Sequence, residues 1–222
     1  MRRAYYFTII LYLLIFVCSC TNTLNNSNNI YIKNRTWNFS AKFIDSKGVI
    51  TDSCQIEMKV SNSHFVSLLV NQTPIIYTYE INSTKYEEKT GVEEDESGVF
   101  LHPPRLSVFS FLQVPPMPSV TYPLNSIVEK EIELNTLKSE FNPASGKKIK
   151  QQLKQNNETD TLFLQNQKIV CVKIKGQNTN YIEEIGRFKA EFWFNEVYGF
   201  VKMRYLKPDN TILEIILTKT NF

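Results

Sequence analysis

Residues 36–43 read Thr36-Trp37-Asn38-Phe39-Ser40-Ala41-Lys42-Phe43, and their alternation decides the fold class. The odd positions of this stretch are apolar and the even positions are polar. A period of two is typical of a β-strand with one face on the core, whereas a helix repeats its apolar residues every three or four positions. The stretch therefore predicts a half-buried strand.

The same alternation returns in Arg187–Phe194, where the apolar residues fall on the even positions. About nine or ten such short segments, with turns between them, indicate an all-β antiparallel domain with little helix over residues 36–222. Two architectures fit this pattern: a sandwich, or one curved, half-barrel-like sheet. The other predicted strands are Gln55–Val60, His64–Val70, Ile75–Ile81, Leu106–Gln113, Ser126–Leu137, part of Leu162–Ile174, Val201–Tyr205 and Thr211–Thr218.

Two segments interrupt the alternation. Residues 82–98 contain six acidic side chains and predict a solvated loop. Asn142–Gln155 predicts a short helix, because Ile149 and Leu153 lie four residues apart. The proline-rich pieces at 103–104 and 115–118 predict sheet edges or connections, since proline cannot donate to a strand ladder.

The N-terminus has the pattern of an export signal. A positive start, Met1-Arg2-Arg3, precedes the apolar run from Ala4 to Val17. Those fourteen residues suit a signal peptide and are short for a membrane span, which needs roughly 17–25. The alternative is an uncleaved anchor helix that reaches Cys20. We expect a signal peptide over residues 1–19 and a flexible polar tether over residues 20–35.

The end of this run, Val17-Cys18-Ser19-Cys20, resembles the lipobox of bacterial lipoproteins. The resemblance implies cleavage before Cys20, which would carry a diacylglycerol and a further acyl chain, and hence attachment to a membrane through those chains. One acyl chain alone gives marginal attachment, whereas two or three hold a protein firmly. Thr21 follows the cysteine in place of the aspartate that retains some lipoproteins at the inner membrane. The expected location is therefore the cell envelope, at the outer membrane.

The charge balance argues against a nucleic-acid partner. The full chain has 25 Lys and Arg against 22 Asp and Glu, and removal of residues 1–19 takes away Arg2 and Arg3. The mature chain is thus nearly neutral, whereas nucleic-acid-binding proteins usually show a basic face.

Cys54 and Cys171 remain after Cys20. Export makes a Cys54–Cys171 disulfide admissible, but sequence does not show whether the two residues meet. Two buried free thiols are the alternative.

Catalytic and metal-binding patterns are weak. The only histidines are His64 and His102, and neither accompanies a nucleophile motif. The acidic residues of 82–98 lack the spacing of a calcium loop. We therefore predict no catalytic residue, no metal and no cofactor.

The segment His102-Pro103-Pro104-Arg105 is the one local motif that could contact a ligand. His102 and Arg105 on a proline-stiffened loop could hold an anionic group or a partner. The alternative is structural: the prolines fix a crossover and Arg105 pairs with a carboxylate.

Three segments resemble a family of uncharacterised bacterial lipoproteins common among Bacteroidetes. They are His102–Arg105, Pro116–Pro123 and Phe194–Lys202 (FNEVYGFVK). The resemblance covers residues 36–222 and implies no assigned function.

The aromatic strand faces allow two interpretations. In a single curled sheet they could line a cavity for an apolar ligand, and in a two-layer sandwich they form the core. We expect a non-enzymatic envelope lipoprotein that binds such a ligand or an envelope protein. The alternatives are a hydrolase with dispersed carboxylates and a purely structural component. The aromatic residues concerned are Trp37, Phe39, Phe43, Tyr77, Tyr79, Phe188, Phe192 and Phe194.

Overall fold

The structure is a computed structural model that describes residues 29–61, 72–135, 146–181 and 186–222. Those residues form twelve strands and one 3₁₀ helix, Ser107–Gln113, which lies between the fifth and sixth strands. The strands are β1 (Thr36–Ile44), β2 (Ile50–Val60), β3 (Thr73–Ile81), β4 (Thr84–Asp95), β5 (Gly98–Leu101), β6 (Ser119–Thr121), β7 (Ile127–Asn135), β8 (Lys148–Leu164), β9 (Gln167–Asn178), β10 (Lys189–Asn195), β11 (Gly199–Leu206) and β12 (Ile212–Thr220).

All twelve strands belong to one antiparallel sheet, in the order β6-β5-β4-β3-β2-β1-β12-β11-β10-β9-β8-β7. The first and last strands pair in the middle, where Ala41 lies opposite Ile215. The all-β prediction is confirmed, and the single curved sheet is the architecture that forms. The sequence underestimated the number of strands, because the acidic β4 has the composition of a loop, the start of β8 has the spacing of a helix, and β5 and β6 have only four and three residues.

The sheet curls until it is nearly closed, and a glutamine side chain joins its two flanks. In β8, Gln155 Oε1 accepts the backbone N–H of Thr121 in β6 (3.0 Å), and Gln155 Nε2 donates to the Thr121 carbonyl (2.9 Å). The side-chain amide thus makes the two hydrogen bonds that a neighbouring strand would make. The curl places the apolar strand faces inside.

The interior is filled with aromatic and branched side chains. Trp37, Phe192 and Phe194 are fully buried, and Phe192 and Phe194 each pack edge-on against Phe200. Edge-to-face contacts add about 0.5–1.5 kcal/mol to the effect of burial alone. Seven of the eight predicted aromatic residues are core, and only Phe43 is partly exposed.

Three local predictions were wrong. Most of 82–98 is β4 with its turn to β5: Glu87 and Glu93 face outward, where strand carboxylates stay hydrated. Leu106–Gln113 is a 3₁₀ helix, whose Phe109 and Leu112, three residues apart, both point inward. The helix predicted within Asn142–Gln155 is strand from Lys148 onward. The predicted strand His64–Val70 lies outside the described residues.

The interior has two ends. We call the end near Trp37, at the start of β1, the proximal end, and the end near Phe43, where β1 finishes, the distal end. At the proximal end, near Trp37, the backbone N–H groups of Ile30 and Tyr31 donate to the two carboxylate oxygens of Glu94 (2.8 and 3.0 Å). Ile30 and Tyr31 are buried, and Tyr31 stacks on Trp37 with ring centres 5.1 Å apart. The predicted tether therefore needs correction, because residues 30–31 belong to the folded domain.

At the distal end, the 3₁₀ helix lies across the opening. Phe109 inserts between Phe43 and Tyr79, with ring centres 5.7 and 5.0 Å away. No helix in the described parts of the chain is long and apolar enough to cross a bilayer.

Candidate functional site

A groove of about 510 Å³ opens at the distal end, between the 3₁₀ helix and the sheet. Val108 and Phe111 form its helix side, while Phe43 of β1 and Leu213 of β12 form its sheet side. Val108 is 37% exposed, and Phe43 and Phe111 are partly exposed, although apolar side chains of this size usually bury fully in a core. The groove is therefore an apolar surface that the protein's own packing leaves open.

The rim of the groove is polar. Lys207 Nζ lies 5.4 Å from the centre of the Phe111 ring and 3.7 Å from the Asp209 carboxylate. Asp45 and Asp52 complete the rim from the β1–β2 side. An apolar body inside the groove would thus leave a polar end within reach of a cation on one side and carboxylates on the other.

The segment that positions the 3₁₀ helix is the His102–Arg105 motif. The hydroxyl of Tyr77 donates to the His102 carbonyl (3.0 Å), and that of Tyr79 donates to the Leu106 carbonyl (3.1 Å). Both tyrosines belong to the inner face of β3, so the sheet fixes the height at which the helix crosses. The prolines restrict the backbone between these two anchors.

Glu88 fixes the same segment from β4. One of its oxygens accepts the N–H groups of Arg105 (2.5 Å) and Leu106 (3.1 Å), and the other lies 3.6 Å from Arg105 Nε. Glu88 is 8% exposed, and burial raises the pKa of its carboxyl despite these contacts. Arg105 also donates to Thr90 Oγ1 (3.1 Å). The Arg105 guanidinium thus lies against a carboxylate of the protein itself, as the structural interpretation of the His102–Arg105 motif expects.

His102 is half-buried beside Phe100, with its Nε2 3.4 Å from the Gln72 side-chain nitrogen. Burial lowers its pKa to about 4, so the ring is neutral near pH 7. Its buried Nδ1 has no hydrogen-bond partner among the described residues. Anion binding by His102 and Arg105 stays a prediction.

Two buried amides hold the proline-rich segment that follows the helix, and a third, Gln155, holds the strand after it. Gln151 accepts the Met117 N–H (3.2 Å) and donates to the Pro115 carbonyl (2.8 Å), and Asn178 donates to the Val114 carbonyl (2.9 Å). Sequence reasoning missed these residues, because buried glutamines look like solvent-facing positions. The spacing in the sequence could have shown that they face inward, because Gln151 and Gln155 fall on the same alternate positions of the strand as the apolar residues Ile149 and Leu153.

A second groove, of about 360 Å³, lies on the outer face of β8–β11. Three of the four cations that line it are paired. Lys154 lies 3.1 Å from Glu129, and Lys175 lies 2.7 Å from Glu158. Glu191 contacts Arg204 at 3.3 Å. These exposed pairs resemble an ordinary charged strand surface, whereas the distal groove does not.

The cysteines are not bridged. Cys54 in β2 and Cys171 in β9 are free thiols, and four strands of the sheet lie between theirs. Burial raises the pKa of Cys54 to about 11 and that of Cys171 to about 12. Neither thiol is therefore primed as a nucleophile. Cys20 and His64 lie outside the described residues.

No protein-family model matches the chain, and neither does any of the curated proteins. Among solved structures, one similar chain is described as a putative lipoprotein from Parabacteroides distasonis, with 14% identity and a TM-score of 0.49 over 86% of this chain and 96% of that one. Another is described as a putative exported protein with a YmcC-like fold from Bacteroides fragilis, with 9% identity and a TM-score of 0.45 over 86% and 97%.

A third is the hypothetical lipoprotein YmcC from Escherichia coli, with 10% identity and a TM-score of 0.36 over 92% of this chain and 96% of that one. All three likenesses are weak. Two of these proteins are described as lipoproteins and one as exported.

Proposed function

We propose that the protein is a non-enzymatic, lipid-anchored lipoprotein of the cell envelope that binds an apolar ligand in the distal groove. The groove itself carries the proposal: about 510 Å³ of open space with Phe43, Val108, Phe111 and Leu213 on its walls. Small-molecule sites usually measure about 300–1,000 Å³ and are mostly apolar, with a few polar groups that orient the ligand.

The ligand class follows from the walls and the rim. Two aromatic rings and aliphatic side chains suit an acyl chain or another apolar body. The Lys207 ammonium at the rim suits a carboxylate or phosphate at the polar end of such a molecule. An amphipathic lipid satisfies both requirements. An apolar side chain of an envelope protein is the other occupant that this groove could take.

The attachment rests on the lipobox-like sequence at Cys20. Acyl chains there would place the domain at the membrane without a spanning segment. The polar residues after Thr21 would act as the tether. Thr21 directly follows Cys20, where some lipoproteins have an aspartate that retains them at the inner membrane, and this difference favours the outer membrane.

Displacement of a fluorescent apolar dye tests the groove. A soluble form that begins at Thr21 is titrated with monomeric fatty acids in the absence of vesicles, together with the variants Val108→Asp and Val197→Asp. Val197 is an exposed valine at the other end of the sheet, so it is the matched control. A ligand in the groove would remove the carboxylate introduced at position 108 from water, so Val108→Asp should weaken binding at least about tenfold, whereas Val197→Asp should bind like the natural chain.

Equal affinity in the two variants would contradict the groove as the site. Hydrolysis of the competitor, abolished by one carboxylate substitution, would favour the hydrolase alternative. Failure of every apolar competitor to displace the dye would contradict the lipid ligand and leave an envelope-protein partner or a purely structural role.

A further inference from the structure

The exposed large apolar side chains in the described residues gather mainly at the two ends of the sheet. At the distal end, Val49, Ile50, Leu106 and Val108 surround the groove or lie in the neighbouring turn. A second set lies at the proximal end. Its members are Ile32 (44% exposed), Phe163 (68%), Val170 (62%), Val197 (57%) and Phe222 (39%).

Three members of this proximal set, Phe163, Val170 and Val197, lie in two neighbouring hairpins that contact each other. Phe163 and Val170 lie in the β8–β9 hairpin, where Phe163 pairs with Lys168 and Val170 with Thr161. Asn195 connects Val170 to the next hairpin: its Nδ2 donates to the Val170 carbonyl (2.9 Å) and its Oδ1 accepts the Val197 N–H (2.9 Å).

The remainder of the set adjoins the point where the chain reaches the domain. Phe222 packs against Trp37 with ring centres 5.2 Å apart, and the Arg35 guanidinium lies 4.3 Å above the Phe222 ring. Arg35 in turn donates its backbone N–H to the Ile32 carbonyl (3.2 Å). The five apolar residues therefore form a rim, which we call the proximal rim, around the end that holds Ile30 and Tyr31.

Glu94 and Gly199 fix the chain at this end. Glu94 binds the N–H groups of Ile30 and Tyr31, which holds the first described residues of the chain at the proximal end. Gly199 has φ +75°, and a Cβ there would collide with the Tyr31 hydroxyl, which accepts the Phe200 N–H (3.3 Å). These contacts fix Ile30 and Tyr31 at the proximal end.

The length of the segment between Cys20 and the folded domain determines whether the proximal rim can reach a membrane. Eight residues, Thr21–Asn28, separate Cys20 from Asn29 and span at most roughly 28 Å. The nine-residue strand β1, which runs from the proximal to the distal end, is about 30 Å long, so the segment before Asn29 is no longer than the sheet is tall. With Cys20 in the bilayer, the proximal rim can reach the lipid surface.

We propose that the proximal rim docks on the lipid surface to which Cys20 is anchored, with Phe163, Val170 and Val197 in contact with lipid and the distal groove directed away from it. The inference rests on the proposed lipid attachment. Charges near the rim are mixed, with Lys168 beside Phe163 and Glu196 beside Val197, so apolar burial carries the docking.

Quenching of tryptophan fluorescence by brominated lipid tests the orientation. The full, lipidated protein is reconstituted in phosphatidylethanolamine–phosphatidylglycerol vesicles as Val197→Trp and as Val49→Trp. The two valines are matched, since each follows a strand in a hairpin turn region and they are 57% and 58% exposed. Trp37 and Trp193 are buried in both variants and contribute the same background.

We expect brominated lipid to quench Val197→Trp at least twofold more strongly than Val49→Trp, together with a blue shift of its emission. Equal quenching, or stronger quenching of Val49→Trp, in protein that stays with the vesicles would overturn the docking and leave the attachment intact. Protein that separates from the vesicles on flotation would overturn the attachment, and the docking with it.

Discussion

Replacement of Gln155 by leucine should open the seam between β6 and β8. Gln155 is 3% exposed and makes hydrogen bonds to the N–H and carbonyl of Thr121 and to the carbonyls of Leu124 and Ser126. Leucine nearly conserves the volume but satisfies none of these groups. Each buried polar group without a partner costs about 1–3 kcal/mol.

The two groups of Thr121 lose their closest side-chain partner, so the expected loss is about 3 kcal/mol. The remaining carbonyls belong to a loop that water can reach, and they add little. For a domain of about 200 residues, this loss lowers the melting temperature by roughly 6–12 °C.

Urea unfolding followed by circular dichroism measures this loss. Gln152→Leu is the matched control, because Gln152 is the adjacent residue of β8 and its side chain bonds Glu129 and Gln177 on the exposed face. That variant should change stability by no more than about 0.5 kcal/mol. Equal losses in both variants, or none in Gln155→Leu, would refute the role assigned to the buried amide.

Three further outcomes are expected. Burial holds His102 neutral, with a pKa of about 4 against an ordinary 6.5, so its stability contribution is complete above pH 6.5 and is lost as the pH falls toward 4. Because His102 is only partly buried, the loss should be about 1–2 kcal/mol in denaturant titrations, and His102→Gln should lack it. Glu94→Ala should expose residues 29–35 to limited proteolysis, whereas Glu93→Ala, on the outward face of β4, should not. Cys20→Ala should abolish incorporation of labelled palmitate; equal label in both proteins would contradict lipidation.

Much of the sheet was predictable, because strands such as β1 and β10 place apolar residues on every second position and no turn residue interrupts them. β8 escaped prediction because Gln151 and Gln155 occupy inner positions, where they serve the backbone of a distant segment. Polar side chains in such roles carry no local signature, since their partners lie more than 30 residues away.

The groove could not be predicted for a related reason. Phe43, Val108 and Leu213 come from three regions of the sequence, and only the pairing of β1 with β12 brings two of them together. The His102–Arg105 motif was recognised from sequence, but its closest charged contact is Glu88, in a segment that composition suggested was a loop. The strand parity of Glu88 with Tyr86 and Val92 was the available signal.

Photolabelling tests most directly whether the distal groove takes an apolar ligand. A fatty acid with a diazirine in its chain is irradiated with the protein, and the modified residues are located by mass spectrometry. The groove predicts labels on Phe43, Val108, Phe111 or Leu213 that unlabelled fatty acid competes away. Labels confined to Phe163, Val170 and Val197, or labels that no competitor reduces, would contradict it.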